Sequence, residues 1–216
     1  MKDQTVKPTA LPERATLLRW LAGVFAKEQT PETLAALGTD ASNALLREAA
    51  DAAGLRDELG GLLALVATRP DVGPFALDLA TDYARLFLGA GSRGITVQPY
   101  ESYHTNPRGA LFQEATGAME ALLREYGLAA SGTKEPADHV AVELEFLAQL
   151  TADLAEGGEP RAAVLRDKLL REHVLVWVPG FCNACIERDR QGFYAAAARL
   201  LQSLLRAETE RLASAT

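Results

Sequence analysis

Lys134-Glu135-Pro136-Ala137-Asp138-His139-Val140-Ala141-Val142-Glu143-Leu144-Glu145-Phe146-Leu147 is the stretch on which the fold reading turns, because a proline-bearing loop runs there straight into an apolar-patterned helix. Pro136 suits a first helical position, where its missing N–H would be unpaired anyway, and Asp138 suits the positive end of the helix dipole. The apolar stripe continues through Leu144, Leu147, Leu150 and Leu154 and stops at Gly157-Gly158. Local chemistry alone describes a well-made helix start. It also gathers two acids, a proline and one of the chain's three histidines at one point, which makes the stretch a candidate site.

Outward from this stretch the same helical period recurs. Upstream, Ala129 to Thr133 reads as a small-residue linker, and Pro107 to Tyr126 as a helix with Leu111, Met119, Leu122 and Leu123 on its apolar side and Gly127 as its stop. Gly89 to Thr105 has no clean period and reads as an ordered loop. Further back, Phe75 to Leu88 is helical through Leu79, Tyr83, Leu86 and Phe87. Ala41 to Leu65 is one long or two short helices, with the break expected at Gly60-Gly61. A helix is expected to begin at Thr30-Pro31-Glu32, and Leu11 to Lys27 carries Leu17, Leu18, Leu21, Val24 and Phe25 at three- and four-residue steps. Downstream, Glu159-Pro160 opens a helix expected to include Val174–Val178 and to end at Pro179-Gly180, and Gly192 to Leu212 is the last. The fold class is all-α: a single helical-bundle domain of about ten helices, with approximate halves 10–95 and 107–214 joined by the irregular loop. Two such halves allow either a monomer or a domain-swapped homodimer.

The chain has 216 residues, 48% hydrophobic and 24% charged, which is ordinary globular composition. A formal net charge of −7 argues against general nucleic-acid or anionic-membrane binding and leaves room for a basic partner. No apolar run reaches membrane-spanning length and the first residues lack a signal-peptide core, so the expected location is cytoplasmic, without stable membrane insertion. Two cysteines are too few for a disulfide scaffold.

Catalytic signatures are weak. Gly89-Ala90-Gly91-Ser92-Arg93-Gly94 has dinucleotide-motif spacing but follows a helix rather than a strand. Cys182-Asn183-Ala184-Cys185 offers half a zinc site without a second pair, or a thiol pair without a βαβ setting. His139 and Glu143 lie four apart, so that a helix would put two potential metal ligands on one face. A small metal- or thiol-dependent enzyme built on Cys182, Cys185, His139 and Glu143 is therefore one reading. No cofactor is expected otherwise. A general helical adaptor is another. Tyr83, Leu86, Phe87, Tyr100, Tyr103, Trp177, Phe181, Phe193 and Tyr194 gather near the breaks, where aromatic side chains suit either a core or an apolar peptide groove.

Several segments together resemble the TorD/DmsD family of redox-enzyme maturation chaperones. Tyr83-Ala84-Arg85-Leu86-Phe87-Leu88-Gly89 is similar to that family's Y-x-x-L-F-x-G, Pro99-Tyr100-Glu101-Ser102 to its P-Y-E-S, and Glu135-Pro136-Ala137-Asp138-His139 to its E-P-x-D-H. Trp177-Val178-Pro179-Gly180-Phe181 and Phe193-Tyr194 resemble its W-x-P-x-F and F-Y. Gln98 stands where many members have Gly or Pro, and Cys182 and Cys185 fall outside the shared motifs, so both leave the subgroup open. The resemblance implies a non-enzymatic chaperone whose partners are an apo molybdoenzyme catalytic subunit and its twin-arginine leader peptide. It gives Glu101, Glu135 and Asp138 the basic region of that peptide, with His139 orienting a carboxylate or the loop. Tyr83, Leu86, Phe87, Tyr100 and Trp177 become the groove wall, and Pro99 and Pro136 are counted with them among the peptide-binding residues. On this view, replacing Asp138 and His139 with alanine weakens peptide binding and leaves the melting temperature nearly intact.

Overall fold

The computed structural model describes residues 10–90, 94–106, 108–111, 113–128 and 135–214. Among them every named element is helical: α1 (Leu11–Ala26), α2 (Pro31–Leu37), α3 (Asp40–Ala53), α4 (Arg56–Ala67), α5 (Val72–Phe87), α6 (Glu101–Thr105), α7 (Glu114–Tyr126), α8 (Val140–Ala155), α9 (Pro160–Leu169), α10 (Leu175–Arg188) and α11 (Phe193–Ser214). The protein is all-α, as the apolar periods predict. Starts are set by local chemistry: Pro31 follows Thr30, whose hydroxyl accepts from Thr33 N–H, and Asp71 accepts from Gly73 N–H at the head of α5.

Three expected boundaries shift. The break in the Ala41–Leu65 region falls at Gly54, not Gly60-Gly61. Gly54 takes φ +74° and the next N–H, on Leu55, reaches back to Ala50 O at 2.7 Å, a closure that a side-chain-bearing residue resists. Gly60 and Gly61 stay inside α4 because Leu59, Leu62, Leu63 and Val66 bury that helix in the core, which outweighs a propensity cost of roughly 1 kcal/mol per glycine. Pro179-Gly180 does not end a helix either. Leu170–Val174 forms a π turn in which Leu175 N–H bonds Leu170 O, so α9, the turn and α10 run continuously, with Pro179 inside α10. Trp177, Val178, Phe181, Cys182 and Cys185 bury this segment deeply enough to offset the proline. Lastly, α7 begins at Glu114 rather than Pro107, and the loop before it contains the short helix α6. The small-residue linker Ala129–Thr133 and Gly91–Arg93 of the glycine-rich spacing lie outside the described residues.

One connected core runs from Leu17 to Leu212. α1 packs most extensively on α8 and also meets α3 and α11, while α11 meets α4 and α10, so the two sequence halves interlock. A buried ion cluster ties the helices together. Glu208 on α11 accepts from Arg14 of α1 at 2.7 Å and from Arg166 of α9 at 2.6 Å, and Arg166 Nε also donates to Thr151 of α8.

Candidate functional site

The two loop motifs singled out in the sequence meet in space. Glu101 N–H donates to Asp138 O at 2.9 Å and Val140 N–H to Pro99 O at 2.8 Å, an antiparallel bridge centred on Tyr100 and His139. Asp138 then turns inward. Its carboxylate accepts from Ser102 N–H at 3.0 Å, capping α6, and from the Thr116 hydroxyl of α7 at 2.9 Å. His139 heads α8, with Nδ1 accepting from Ala141 N–H at 3.1 Å, a role only the neutral ring can fill. Burial pushes its pKa down, which keeps that lone pair available.

These placements revise the expected lip of carboxylates. Asp138, His139, Glu101 and Pro99 are buried, and only Glu135, Pro136 and Tyr100 of the two motifs keep partial exposure, with Tyr100 OH donating to Glu135 at 3.3 Å. Asp138→Ala should therefore cost about 1–3 kcal/mol by orphaning the buried Ser102 N–H and removing the partner of the half-buried Thr116 hydroxyl, read by chemical denaturation, rather than leave the melting temperature intact. The expected groove wall also lies inside. Tyr83, Leu86, Phe87 and Trp177 are at most 5% exposed, and the rings of Phe25, Tyr83, Phe87, Phe181 and Tyr194 interlock, with Tyr83 OH donating to Phe25 O. Their apolar areas are spent on the core, so they do not face an open groove.

Glu143 is fully buried. It accepts from Trp177 Nε1 at 3.0 Å and adjoins Glu101, whose carboxylate lies 2.7 Å from His173 Nδ1. Burial first, then the neighbouring Glu101, holds the Glu143 carboxyl well above its ordinary range. An acid whose pKa rises on folding gives stability that is present below its unfolded value near 4.5 and lost as pH climbs towards the folded value. Glu143→Gln keeps the acceptor for Trp177, so it should raise the melting temperature at neutral pH, with the gain closing below about pH 4.5; parallel melts across pH check this.

The residues of the metal- or thiol-enzyme reading lie inside the helical core. Cys182 and Cys185 are buried on α10, and burial pushes the Cys182 thiol up to about 12 and Cys185 well above its ordinary value, away from the reactive thiolate. His139 Nδ1 accepts from Ala141 N–H and Glu143 from Trp177 Nε1, and among the described residues no group of three His, Cys, Asp or Glu side chains is placed to hold a metal ion.

An open groove of about 810 Å³ does exist, between α1, α7 and α8. Ala22, Gly23 and Ala26 give it a low floor, and Leu123, Val142 and Phe146 give it apolar walls. Glu135 and Glu145 stand among its lining residues, and Arg19 reaches from α1 to Glu145 at 3.3 Å and to Gln149 at 3.1 Å. Glu135 is the one residue it shares with the expected site. The sequence reading missed the others because they come from three distant segments. The available signal was the second apolar row on α8, Val142 and Phe146, beside the core stripe of Leu144 and Leu147.

Residues 38–183 match the family profile described as nitrate reductase delta subunit. The chaperone protein TorD of Vibrio atlanticus is 32% identical over 210 residues, covering 93% of this chain and 95% of that one. This chain belongs to the TorD family of redox-enzyme maturation chaperones. TorD of Aliivibrio fischeri is 30% identical, again over 93% and 95% of the two chains. The fold also matches a solved structure from Archaeoglobus fulgidus, described as a candidate redox enzyme maturation protein, with TM-score 0.54, 20% identity and coverage of 88% and 93%. The E-P-x-D-H and P-Y-E-S segments of this TorD-family chain are thus joined by the Tyr100–His139 bridge, next to the rim residue Glu135.

Proposed function

We propose that this protein is a cytoplasmic chaperone for one molybdenum-cofactor oxidoreductase, binding its twin-arginine signal peptide and apo form until the cofactor is inserted and before export. Family membership supports the chaperone role, and the observation that carries the peptide reading is the groove between α1, α7 and α8. A twin-arginine leader brings two guanidinium groups followed by an apolar segment, and so calls for an apolar trough with carboxylates near it. The groove offers that combination. In this reading Glu135 and Tyr100 contact the peptide. Pro99, Glu101, Pro136, Asp138 and His139 hold the rim through the bridge and caps described above, and Tyr83, Leu86, Phe87 and Trp177 supply the rigid core behind it.

Affinity capture of the tagged chain from its own cells, grown without molybdenum so that apo-enzyme accumulates, tests the proposal. Mass spectrometry should show a molybdoenzyme carrying a twin-arginine leader, enriched less when that leader is deleted. Capture without any such enzyme overturns it.

A further inference from the structure

The turn between α10 and α11 is held against α5 through two aspartates. Asp82 of α5 is 3% exposed; its Oδ1 accepts from Arg85 Nε at 2.7 Å and its Oδ2 from the Arg190 N–H at 3.0 Å. Arg85 in turn donates to Arg188 O at 2.6 Å. The residues on either side of Asp189 are thus both tied to the Asp82–Arg85 pair, which brings the two aspartates together. The half-buried Asp189 accepts from Gln191 N–H at 2.9 Å and from Ala195 N–H, in the first turn of α11, at 2.7 Å, and its carboxyl is in hydrogen-bond contact with that of Asp82.

Ionised carboxylates only accept, so a hydrogen bond between two of them needs a proton. The surroundings say where it sits. Burial by itself would raise the Asp82 pKa, but the hydrogen bond from Asp189, the Arg190 N–H and the Arg85 guanidinium together hold it below the ordinary value. Asp189 takes its donors from the backbone, and burial first, then Asp82, pushes it up to about 6. Around the pair stand Cys185 and Arg188 of α10, Arg190 on the turn, Tyr83 of α5, Tyr194 of α11 and Glu28 beyond α1. Burial raises the thiol and both phenols well above their ordinary values, so they stay neutral as the pair titrates.

We propose that Asp82 and Asp189 share one proton, and that this carboxyl–carboxylate bond is a pH-sensitive latch closing the α10–α11 turn onto α5. Loss of the proton to solvent leaves two carboxylates facing one another, and the turn loosens. The stability contributed by Asp189 is present below its unfolded value near 3.8 and is lost as pH rises through about 6. Arg188 extends the latch, donating to Thr96 O at 3.0 Å at the root of the loop that carries Pro99 and Tyr100 to the bridge with His139. The latch operates whatever the groove binds.

Carboxyl-detected NMR of the aspartates across about pH 4–8 tests this. The Asp189 carboxyl should titrate near 6, and the Asp82 carboxyl should inflect at the same pH, as groups sharing a proton do. In Asp82→Asn the Asp189 midpoint should fall by about one pH unit or more. Amide exchange at Ala195, corrected for its intrinsic pH dependence, should report turn opening that grows about tenfold from pH 5 to 7.5, because the opened turn returns Asp189 to its ordinary value. An Asp82 carboxyl that stays flat through the Asp189 transition, a wild-type Asp189 midpoint below about 5, an Asp189 midpoint indifferent to Asp82→Asn, or pH-independent opening at Ala195 each overturns the latch. The wild-type readings alone decide the matter if Asp82→Asn does not fold.

Discussion

Glu208→Ala should destabilise the protein by about 3–5 kcal/mol, lowering the melting temperature by roughly 6–20 °C for a chain of this size. Glu208 is fully buried, and its two oxygens are shared among Arg14 on α1, Arg166 on α9 and Arg211 on its own helix, the last at 3.1 Å. Deleting it leaves Arg14 and Arg166, both under 10% exposed, as like charges without a counter-ion in the interior. Burial by itself would raise the Glu208 pKa, but the arginines reverse that and hold it below the ordinary value. A carboxyl depressed on folding contributes stability that is present above its unfolded pKa near 4.5 and is lost as pH falls through the folded value. The wild type should therefore lose its advantage over the alanine variant on acidification. Denaturation curves at pH 7 and pH 3 measure both effects.

Gly23→Leu should separate binding from stability in opposite directions. Gly23 sits inside α1, exposed on the floor of the groove, and a Cβ added there meets nothing within 4 Å. The helix gains about 0.5–1 kcal/mol from losing an interior glycine, so the melting temperature should rise by roughly 1–4 °C. The leucine side chain, however, projects into the space proposed for the leader's apolar segment. Excluding one well-packed apolar anchor costs about a hundredfold in affinity, which calorimetric titration with the leader would read. A variant that melts higher and binds as tightly as wild type would remove the groove from the account.

The helical period made most of the core legible in advance: Leu17, Leu21 and Phe25 on α1 and Leu144 and Leu147 on α8 all face inward as their spacing implies. Period cannot say which glycine breaks a helix. Gly54 and Gly60 look alike in sequence, and the choice is made by tertiary burial of Leu59 and Leu62 on the same side of α4. The continuity of α9 into α10 was hidden for a related reason, since a π turn leaves no compositional mark and Pro179 points the other way. At the site, the motif positions were visible but their direction was not. A cap residue such as Asp138 can present its carboxylate outward to a ligand or inward to Ser102 and Thr116, and only the approach of the Pro99–Ser102 loop decides. The groove is a gap between α1, α7 and α8, and its residues acquire a relation only after those helices pack.

Methyl-resolved NMR of the protein during titration with the client's twin-arginine leader tests the central claim most directly. Saturable shifts should concentrate on Ala22, Ala26, Leu123, Leu128 and Val142, which line the groove, with the buried methyls of Leu17 and Leu200 unmoved. Shifts confined to another surface, or none at saturating peptide, would contradict it.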